Sequence, residues 1–354
     1  MEDIIIFGRG YYYHSKEKSI KKRYNIAAFL DNMVNEAETD NGVKVFNPRY
    51  IDQLPKYPII LMAARFIDMW RQLLELGVDE KRIYFGVNLK PYYDDSERIV
   101  SKEKDIQSRN GQIILCYGGE EYSFSDEKGY KKIVREIYKK ENPYIELLAQ
   151  MPMVPVSRRV GLERGKAVDR YYIEKFMEKN SQVIQGDVME IAEHTYTYQY
   201  GKEITHAYAL HVNGWGKDVI KGNLATGEGI NGDSVDCLIC TQTVQFIYDI
   251  DSVIKNIYKL LKPGGTSLVT VAGIAQISLY DYHNWGEYWR FTLQSIEQLF
   301  IKYFEKDKVE ICSYGNVKIA VAMLYGLCVE DLEEEDFTYN DEQYPVIISV
   351  AARK

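Results

Sequence analysis

The sequence predicts an α/β protein made of a smaller N-terminal unit and a larger C-terminal unit, each with a mainly parallel sheet. Three observations support this prediction. The length of 354 residues suits two domains, the first apolar run leads directly into a glycine turn, and apolar runs alternate with helical patterns along both halves. Strands that alternate with helices form a parallel sheet covered on both faces.

Composition argues against several classes of protein. The chain is 46% apolar and 27% charged, which is ordinary for a globular protein. Its net charge of −8 gives no support to nucleic-acid binding, which needs a basic face. The longest near-apolar stretch, 319–329, is far shorter than the roughly 20 residues of a membrane span. The first apolar run, 4–7, is too short for a signal-peptide core, so we expect a cytoplasmic protein without a membrane span.

The cysteines indicate reduced thiols. There are five of them, an odd and scattered set for a chain of this size. Cys237 and Cys240 form a C-x-x-C pair inside a predicted buried strand, whereas a redox pair belongs at a helix N-terminus. The sequence therefore favours small core residues over a redox or metal pair at this position. No cluster of histidine and aspartate has metal-ligand spacing, and we expect no metal.

The N-terminal unit, predicted over residues 1–90, begins like a Rossmann-like domain. A strand at 4–7 runs into Gly8 and Gly10, and a polar helical stretch follows. The second strand ends in Asp31, about 20 residues after the glycines, where an acidic residue would contact a ribose. The remaining predicted elements of this unit are strands at 26–30, 58–62 and 82–85 and a helix at 66–76.

A nucleotide-type ligand is one of two alternatives for this first unit. The candidate contacts are Gly8, Gly10, Tyr11 and Asp31. Tyr13 stands where the dinucleotide fingerprint has a third glycine for close helix packing. The unit therefore either binds a nucleotide-type ligand or serves as a packing module.

Residues 91–160 are predicted to connect the two units. A charged stretch at 92–109 has the character of a linker. Two strand-like runs, 112–117 and 120–124, flank a pair of glycines and predict a β-hairpin. A helix with one apolar face follows at about 127–140.

The C-terminal unit, predicted over 161–354, alternates regularly. A helix predicted over 251–261 is stopped by Lys262-Pro263-Gly264-Gly265, because proline and glycine do not continue a helix. The strands are expected near 187–191, 206–212, 235–240, 267–272, 308–312 and 344–351.

Several segments of this C-terminal half carry a family resemblance. They are the run 233–249, in which an aspartate opens the fourth strand and a polar and aromatic segment follows it, the Leu-Lys-Pro-Gly-Gly segment 261–265, and the segments 164–174 and 285–292. In these segments the chain resembles the class I S-adenosylmethionine-dependent methyltransferases, and more narrowly a bacterial type-11-like branch associated with surface-polysaccharide glycosyltransferases. The N-terminal unit resembles the small Rossmann-like domains of sugar-modifying enzymes, through 4–10 and 29–32.

The resemblance implies a seven-stranded methyltransferase-type Rossmann-like sheet with its last strand, 344–351, antiparallel beside the fifth. It also implies S-adenosyl-L-methionine as cofactor, bound beyond the carboxyl ends of the strands. The loop 190–196 has no glycine where the family has E/D-x-G-x-G-x-G. The cofactor contacts implied by the resemblance are Tyr171, Tyr172, Glu190, Ile191, Ala192, Glu193, His194, His211, Asn223, Leu224, Thr241 and Gln242.

The segment after the fifth strand is the expected acceptor side of the site. His283 is a candidate general base, or alternatively a loop histidine. Arg290 is a candidate for orienting the acceptor, or alternatively a stacked structural cation. The candidate substrate-binding residues are Trp285, Tyr288 and Trp289.

The leading functional hypothesis is methyl transfer from S-adenosylmethionine to oxygen or nitrogen of a glycan or nucleotide-sugar-linked acceptor. The alternative is a catalytically degenerate methyltransferase-fold scaffold or binding module in cell-surface polysaccharide assembly. A weaker third hypothesis is a nicotinamide-dependent oxidoreductase centred on Gly8 and Gly10.

Overall fold

The computed structural model describes residues 1–35, 37–86, 106–214 and 219–354. The chain divides into two compact units, Met1–Met151 and Pro152–Lys354. Most of the charged stretch predicted at 92–109 lies outside the described residues. Among those residues, no helix has the length and apolar character needed to cross a membrane.

The first unit contains a six-stranded sheet in the order β3-β4-β2-β1-β5-β6. All neighbouring strands are parallel except β3, which is antiparallel to β4. The strands are β1 (Glu2–Phe7), β2 (Tyr24–Leu30), β3 (Glu38–Asp40), β4 (Val43–Phe46), β5 (Ile59–Leu61) and β6 (Ile83–Phe85), and the helices beside them are α1 (Tyr11–Arg23) and α2 (Phe66–Glu75).

The four strands predicted for this unit are confirmed, but β3 and β4 were missed. These two strands are only three and four residues long, and β3 is made of polar, largely exposed residues. A polar run of that length carries no alternation to detect. Both strands extend the sheet beyond β2.

A separate three-stranded antiparallel sheet follows in the same unit. It is formed by β7 (Ile106–Arg109), β8 (Gln112–Tyr117) and β9 (Glu120–Phe124). The helices α3 (Glu127–Glu141) and α4 (Tyr144–Ala149) come next. The predicted hairpin is therefore present as β8 and β9, with one further strand, β7, on its edge.

The second unit contains a seven-stranded sheet in the order β12-β11-β10-β13-β14-β16-β15. The strands are β10 (Gly186–Ile191), β11 (Ile204–His211), β12 (Val219–Lys221), β13 (Val235–Thr241), β14 (Leu261–Ala272), β15 (Val309–Tyr314) and β16 (Ile347–Arg353). The helices are α5 (Val168–Lys179), α6 (Thr195–Tyr200), α7 (Ile250–Leu260), α8 (Leu279–Asn284), α9 (Leu293–Phe300), α10 (Val317–Tyr325) and α11 (Glu334–Thr338).

The predicted seven-stranded sheet with an antiparallel last strand is confirmed. The last strand, β16, lies between β14 and β15 and is antiparallel to both. It begins at Ile347 and not at residue 344. Pro345 precedes it and has no N–H to donate to a strand ladder, and its carbonyl accepts a hydrogen bond from the N–H of Ile274 instead.

The C-x-x-C pair lies in the central strand β13, where both side chains are buried. Cys237 and Cys240 pack into different hydrophobic clusters, on opposite faces of the sheet. Burial raises the pKa of the Cys240 thiol to about 12 and also raises that of Cys237. The prediction that the two are core residues is confirmed.

The path of the chain through the sheet places a switch point in the second unit. From β10 it moves outward to β11 and β12, then returns to β13 on the other side of β10. In open parallel sheets, ligands bind outside the carboxyl ends of the strands at such a point. Here that is the edge where β10 and β13 end.

Candidate active site

A cavity of about 600 Å³ opens at this edge of the second unit. Cavities of about 300–1,000 Å³ commonly hold small molecules and cofactors. Its walls come from the segments that follow four strands and from α8 with the residues after it. The lining residues are Ile191, Ala192, Leu210, His211, Val212, Gly222, Asn223, Leu224, Ala225, Thr243, Phe246, Ile247, Tyr248, Asp281, Asn284, Trp285 and Tyr288.

The loop after β10 reaches the cavity through Ile191 and Ala192. Ala192 has a φ of 73°, in the left-handed region that glycine adopts without strain. Its N–H donates to the carbonyl of Leu210, which ties the loop to the neighbouring strand β11. The loop therefore takes a glycine-like conformation at this position without a glycine.

Glu190, predicted to contact the cofactor, is instead an anchor for this loop. Its carboxylate is buried and accepts hydrogen bonds from the N–H groups of Tyr196 and Thr197 and from the Thr197 hydroxyl. Burial raises the pKa of Glu190, against the lowering effect of these donors. Its oxygens hold the first turn of α6 and do not line the cavity.

The other two polar residues of the loop also lie outside the cavity wall. Glu193 is exposed. His194 is half-buried, its ring lies 5.5 Å from that of Tyr198, and its Nδ1 is buried without a hydrogen-bond partner among the described residues. Of the loop residues predicted as cofactor contacts, the structure thus brings Ile191 and Ala192 to the cavity.

Two polar side chains face the cavity from the ends of β11 and β12. The Nδ1 of His211 accepts a hydrogen bond from the N–H of Asn213, so in the neutral ring Nε2 carries the proton and is a donor. The Oδ1 of Asn223 accepts from the N–H of Ala225. No hydrogen bond of the Asn223 amide nitrogen is found among the described residues, so this donor can serve a ligand, and Leu224 lies beside it in the wall.

Two other predicted cofactor contacts lie behind the wall. The carbonyl of Thr241 accepts a hydrogen bond from the Thr243 hydroxyl. Gln242 accepts from the Gln245 amide and donates weakly to Thr270, at 3.4 Å. In this segment the cavity is lined by Thr243, the residue that follows Gln242.

Tyr171 and Tyr172 lie in an aromatic cluster on α5 and outside the cavity lining. The ring of Tyr171 lies 4.2 Å from that of Phe337, and its hydroxyl donates to Glu334. Tyr172 is buried against Tyr314. These packing contacts turn both rings away from the position that the resemblance implies.

Aromatic side chains form the outer wall of the cavity. We call Tyr248, Trp285 and Tyr288 the aromatic rim; all three line the cavity and are between 42% and 70% exposed. Tyr248 and Tyr288 meet edge to face at 5.5 Å, and Trp285 meets the His211 ring in the same way at 5.9 Å. Trp289, also predicted to bind substrate, stacks on the outer side of Tyr248 and is not part of the wall.

Arg290 has a structural role in this segment. Its guanidinium donates to the carbonyls of Ala275, Gln276 and Trp289 and to the carboxylate of Glu287. These contacts use four of its five N–H groups, and Arg290 does not line the cavity. The prediction that it orients the acceptor directly is thus replaced by a role in fixing the loop.

His283, the predicted general base, is exposed on α8 and lies outside the cavity wall. Its ring contacts only Tyr282 among the aromatic neighbours described. Asp281, on the same helix, does line the cavity. Sequence reasoning missed Asp281 because the helix boundaries, which decide the face of each side chain, could not be read from an aromatic-rich segment.

The motif residues of the Leu-Lys-Pro-Gly-Gly segment lie at the opposite edge of the sheet. Lys262 is 2.6 Å from Asp187 and 2.7 Å from Asp236, and His206 is 2.6 Å from Asp187. Asp187 and Asp236 are near the starts of β10 and β13, far from the carboxyl ends. This motif therefore helps to join the strands β10, β13 and β14 and does not contact the ligand-binding cavity.

Comparison with known proteins agrees with this architecture. A family described as "Methyltransferase domain" matches residues 174–269, which include β10 to β13 and most of β14. Residues 174–269 form a methyltransferase domain. The match supports S-adenosylmethionine-dependent methyltransferase activity, with S-adenosylmethionine as cofactor.

Solved structures of methyltransferases are similar to about half of the chain. One from Archaeoglobus fulgidus is 11% identical, with 52% of this chain and 94% of that chain covered and a TM-score of 0.35. One from Mesorhizobium loti is 13% identical, with coverages of 53% and 98% and a TM-score of 0.35. The N-methyltransferase NodS from Bradyrhizobium japonicum, in complex with S-adenosyl-l-homocysteine, is 9% identical, with coverages of 54% and 89% and a TM-score of 0.33. No curated relative matches the chain.

The residues of the methyltransferase domain fit such a cofactor. The cavity lies at the switch point, the backbone at Ala192 takes the conformation of a glycine loop, and His211 and Asn223 each offer a donor. The chain lacks an acid at the end of β11, where His211 stands. A neutral donor there can hydrogen-bond a ribose oxygen, although it cannot accept from both hydroxyls as a carboxylate does.

In the first unit, a cavity of about 270 Å³ includes two of the predicted nucleotide contacts, Gly8 and Asp31. A Cβ on Gly8 would lie 2.9 Å from the carbonyl oxygen of Met62, and Gly8 has a φ of 95°, so this position needs glycine. Tyr11 is exposed and Gly10 caps α1, both outside the lining.

Asp31 and Asn32, two polar residues that line this smaller cavity, already have hydrogen-bond partners. Asp31 accepts from Arg9 at 2.7 Å and from the N–H of Met33, and Arg9 also pairs with Glu38 and Asp40. The amides of Asn32 and Gln72 bond to each other. The nucleotide-type ligand of this unit stays a prediction, and a ribose would have to compete with Arg9 for Asp31.

Proposed function

We propose that this protein transfers a methyl group from S-adenosylmethionine to a glycan or nucleotide-sugar-linked acceptor, in the cytoplasm, as a step in polysaccharide assembly. The cofactor supplies an electrophilic methyl group on a sulfonium centre. The observation that carries the proposal is the aromatic rim beside the cavity at the switch point. Apolar faces of sugar rings pack well on exposed aromatic side chains.

The lining divides into two sides. His211, Asn223 and the loop at Ala192 lie at the ends of β10 to β12, where the cofactor is expected. The aromatic rim and α8 face them from the segments after β13 and β14. An acceptor between the two sides would be held close to the methyl group, and such positioning is the main contribution of an enzyme to this kind of transfer.

Titration calorimetry with S-adenosylmethionine and S-adenosylhomocysteine tests the cofactor part of the proposal. We expect micromolar binding of both, whereas no heat at millimolar ligand would favour the scaffold alternative.

Asn223→Leu removes a polar partner from the wall and should weaken binding by about 1–3 kcal/mol. Asn223→Asp keeps the oxygen that accepts from Ala225 but removes the amide donor. Weaker binding in this variant would identify the amide as a ligand contact, whereas retained affinity would assign the effect of Asn223→Leu to damage of the loop. Asn231→Leu, at an exposed position outside the lining, is the matched control.

Transfer of labelled methyl groups to UDP-glucose, UDP-N-acetylglucosamine, UDP-glucosamine and GDP-mannose tests the acceptor part. Incorporation into any of them supports a nucleotide-sugar acceptor. Cofactor binding without incorporation into these or into oligosaccharide acceptors would contradict the glycan assignment.

A further inference from the structure

Asp281 stands out among the residues that line the cavity. It is the one carboxylate in the described part of the wall, and no lysine or arginine lines that part. Within the described residues no hydrogen bond or ion pair of its side chain is found, whereas the nearby Glu287 is paired with Arg290. Asp281 is half-buried, and its carboxylate can accept a hydrogen bond from a ligand or pair with a positive charge on it.

The local structure holds Asp281 at this place. Its N–H donates to the Ser278 hydroxyl, which caps α8, and its carbonyl accepts from the N–H groups of Trp285 and Gly286. The N–H of Ser278 donates to Glu287, which Arg290 holds in turn. Arg290 is therefore a positioning residue for the helix that carries Asp281.

We infer that Asp281 and the aromatic rim select an acceptor that carries an amine, so that the methylated atom is nitrogen. This inference rests on the proposed function and narrows its acceptor class. The geometry places a negative charge in the wall of the same cavity that Trp285 and Tyr288 line. A protonated amine gains a charge-assisted hydrogen bond from a carboxylate and cation–π attraction from the rings.

Other acceptor groups gain less from this wall. A hydroxyl would gain a hydrogen bond but no charge pairing. A carboxylate or phosphate placed beside Asp281 would be repelled by it, with no lysine or arginine in the described lining to offset the repulsion. Before it attacks, the amine gives up one proton, for which Asp281 is the one carboxylate acceptor in the described wall; the nitrogen lone pair then bonds to the methyl carbon while the carbon–sulfur bond of the sulfonium breaks.

Matched pairs of sugars test the inference directly. Glucosamine and galactosamine carry a free amine where N-acetylglucosamine and N-acetylgalactosamine carry an amide. We would titrate each into the protein saturated with S-adenosylhomocysteine and follow binding by saturation-transfer NMR. We expect the amino sugars to bind about tenfold more tightly than their acetylated partners.

Asp281→Asn should remove this preference and leave the affinity for S-adenosylhomocysteine unchanged. Asp307→Asn, at an exposed position outside the cavity, removes the same charge and should keep the preference. In the unaltered protein, raising the pH above the pKa of the amine should also abolish the preference, which tests the inference without any variant.

The outcomes separate the inference from the proposed function. No binding of S-adenosylhomocysteine would overturn the proposed function itself. Normal binding of S-adenosylhomocysteine with equal or absent binding of the amino sugars, or with a preference that Asp281→Asn retains, would overturn the inference alone.

Discussion

At the scale of single residues, the loop after β10 shows how a cofactor loop can form without glycine. Ala192 holds the left-handed conformation, and Glu190 fixes the loop through three donors. A left-handed conformation costs an alanine roughly 1–2 kcal/mol. The hydrogen bonds of Glu190 and the bond from Ala192 to Leu210 offset that cost.

We expect Ala192→Gly to raise the free energy of unfolding by about 0.5–1 kcal/mol. Glycine relieves the strain at a φ of 73° but brings more conformational entropy to the unfolded chain, so the gain is smaller than the full strain. Denaturant unfolding measures the change. Ala207→Gly, on β11 and without a positive φ, is the control and should lower stability instead. A loss of stability in both variants would show that Ala192 is not strained.

The cavity is lined by the predicted residues whose place in the sheet was fixed by a motif, and not by those whose place depends on the direction of the side chain. Ala192, His211 and Asn223 reach the cavity because they follow strand ends. Tyr171, Arg290 and His283 do not, because neighbours outside the motif turn them away. Aromatic and arginine side chains can pack against or hydrogen-bond to several alternative partners, and the sequence alone does not determine which of them they contact in the folded protein.

At the scale of elements, ion pairs link neighbouring strands at the amino-terminal edge of the sheet in the second unit. Lys262 lies between Asp187 on β10 and Asp236 on β13, so one side chain from the start of β14 links three strands. The hydrogen bond from Lys262, followed by that from His206, lowers the pKa of Asp187. These side chains are partly exposed, so the pairs are screened by solvent.

Lys262→Met should cost about 1 kcal/mol of stability at neutral pH, after allowance for this screening. Asp187 has a lower pKa folded than unfolded, so its stabilising effect is present above the unfolded value of about 3.9 and is lost as the pH falls through the folded value. The variant should therefore approach the stability of the unaltered protein as the pH is lowered through that range. Urea unfolding at a series of pH values gives the test, and a difference that stays constant down to low pH would contradict it. Cofactor affinity, measured in the same variant, should not change because the pair lies at the far edge of the sheet.

At the scale of the whole molecule, the order of elements was predictable and the ligand assignment of each unit was not. Apolar runs predicted the strands of both sheets except the short β3, β4 and β12, since burial on both faces demands continuous apolar sequence. In each unit the first strand of the main sheet, β1 or β10, ends at a cavity. Side chains distinguish the two cavities: in the first the Asp31 carboxylate is already paired with Arg9, whereas Asp281 and His211 line the second.

Hydrogen exchange with and without S-adenosylhomocysteine tests which cavity the cofactor uses. Ligand at about 100 times its dissociation constant stabilises the state that binds it by about 2.7 kcal/mol, which slows exchange roughly 100-fold for amides that open only when the site is lost. We expect this slowing in peptides from β10, β11 and β13, whose ends form the larger cavity. Peptides around Gly8 and Asp31 serve as the internal reference. Protection confined to those reference peptides would move the cofactor to the first unit, because the binding energy appears only in the structure that must open to release the ligand.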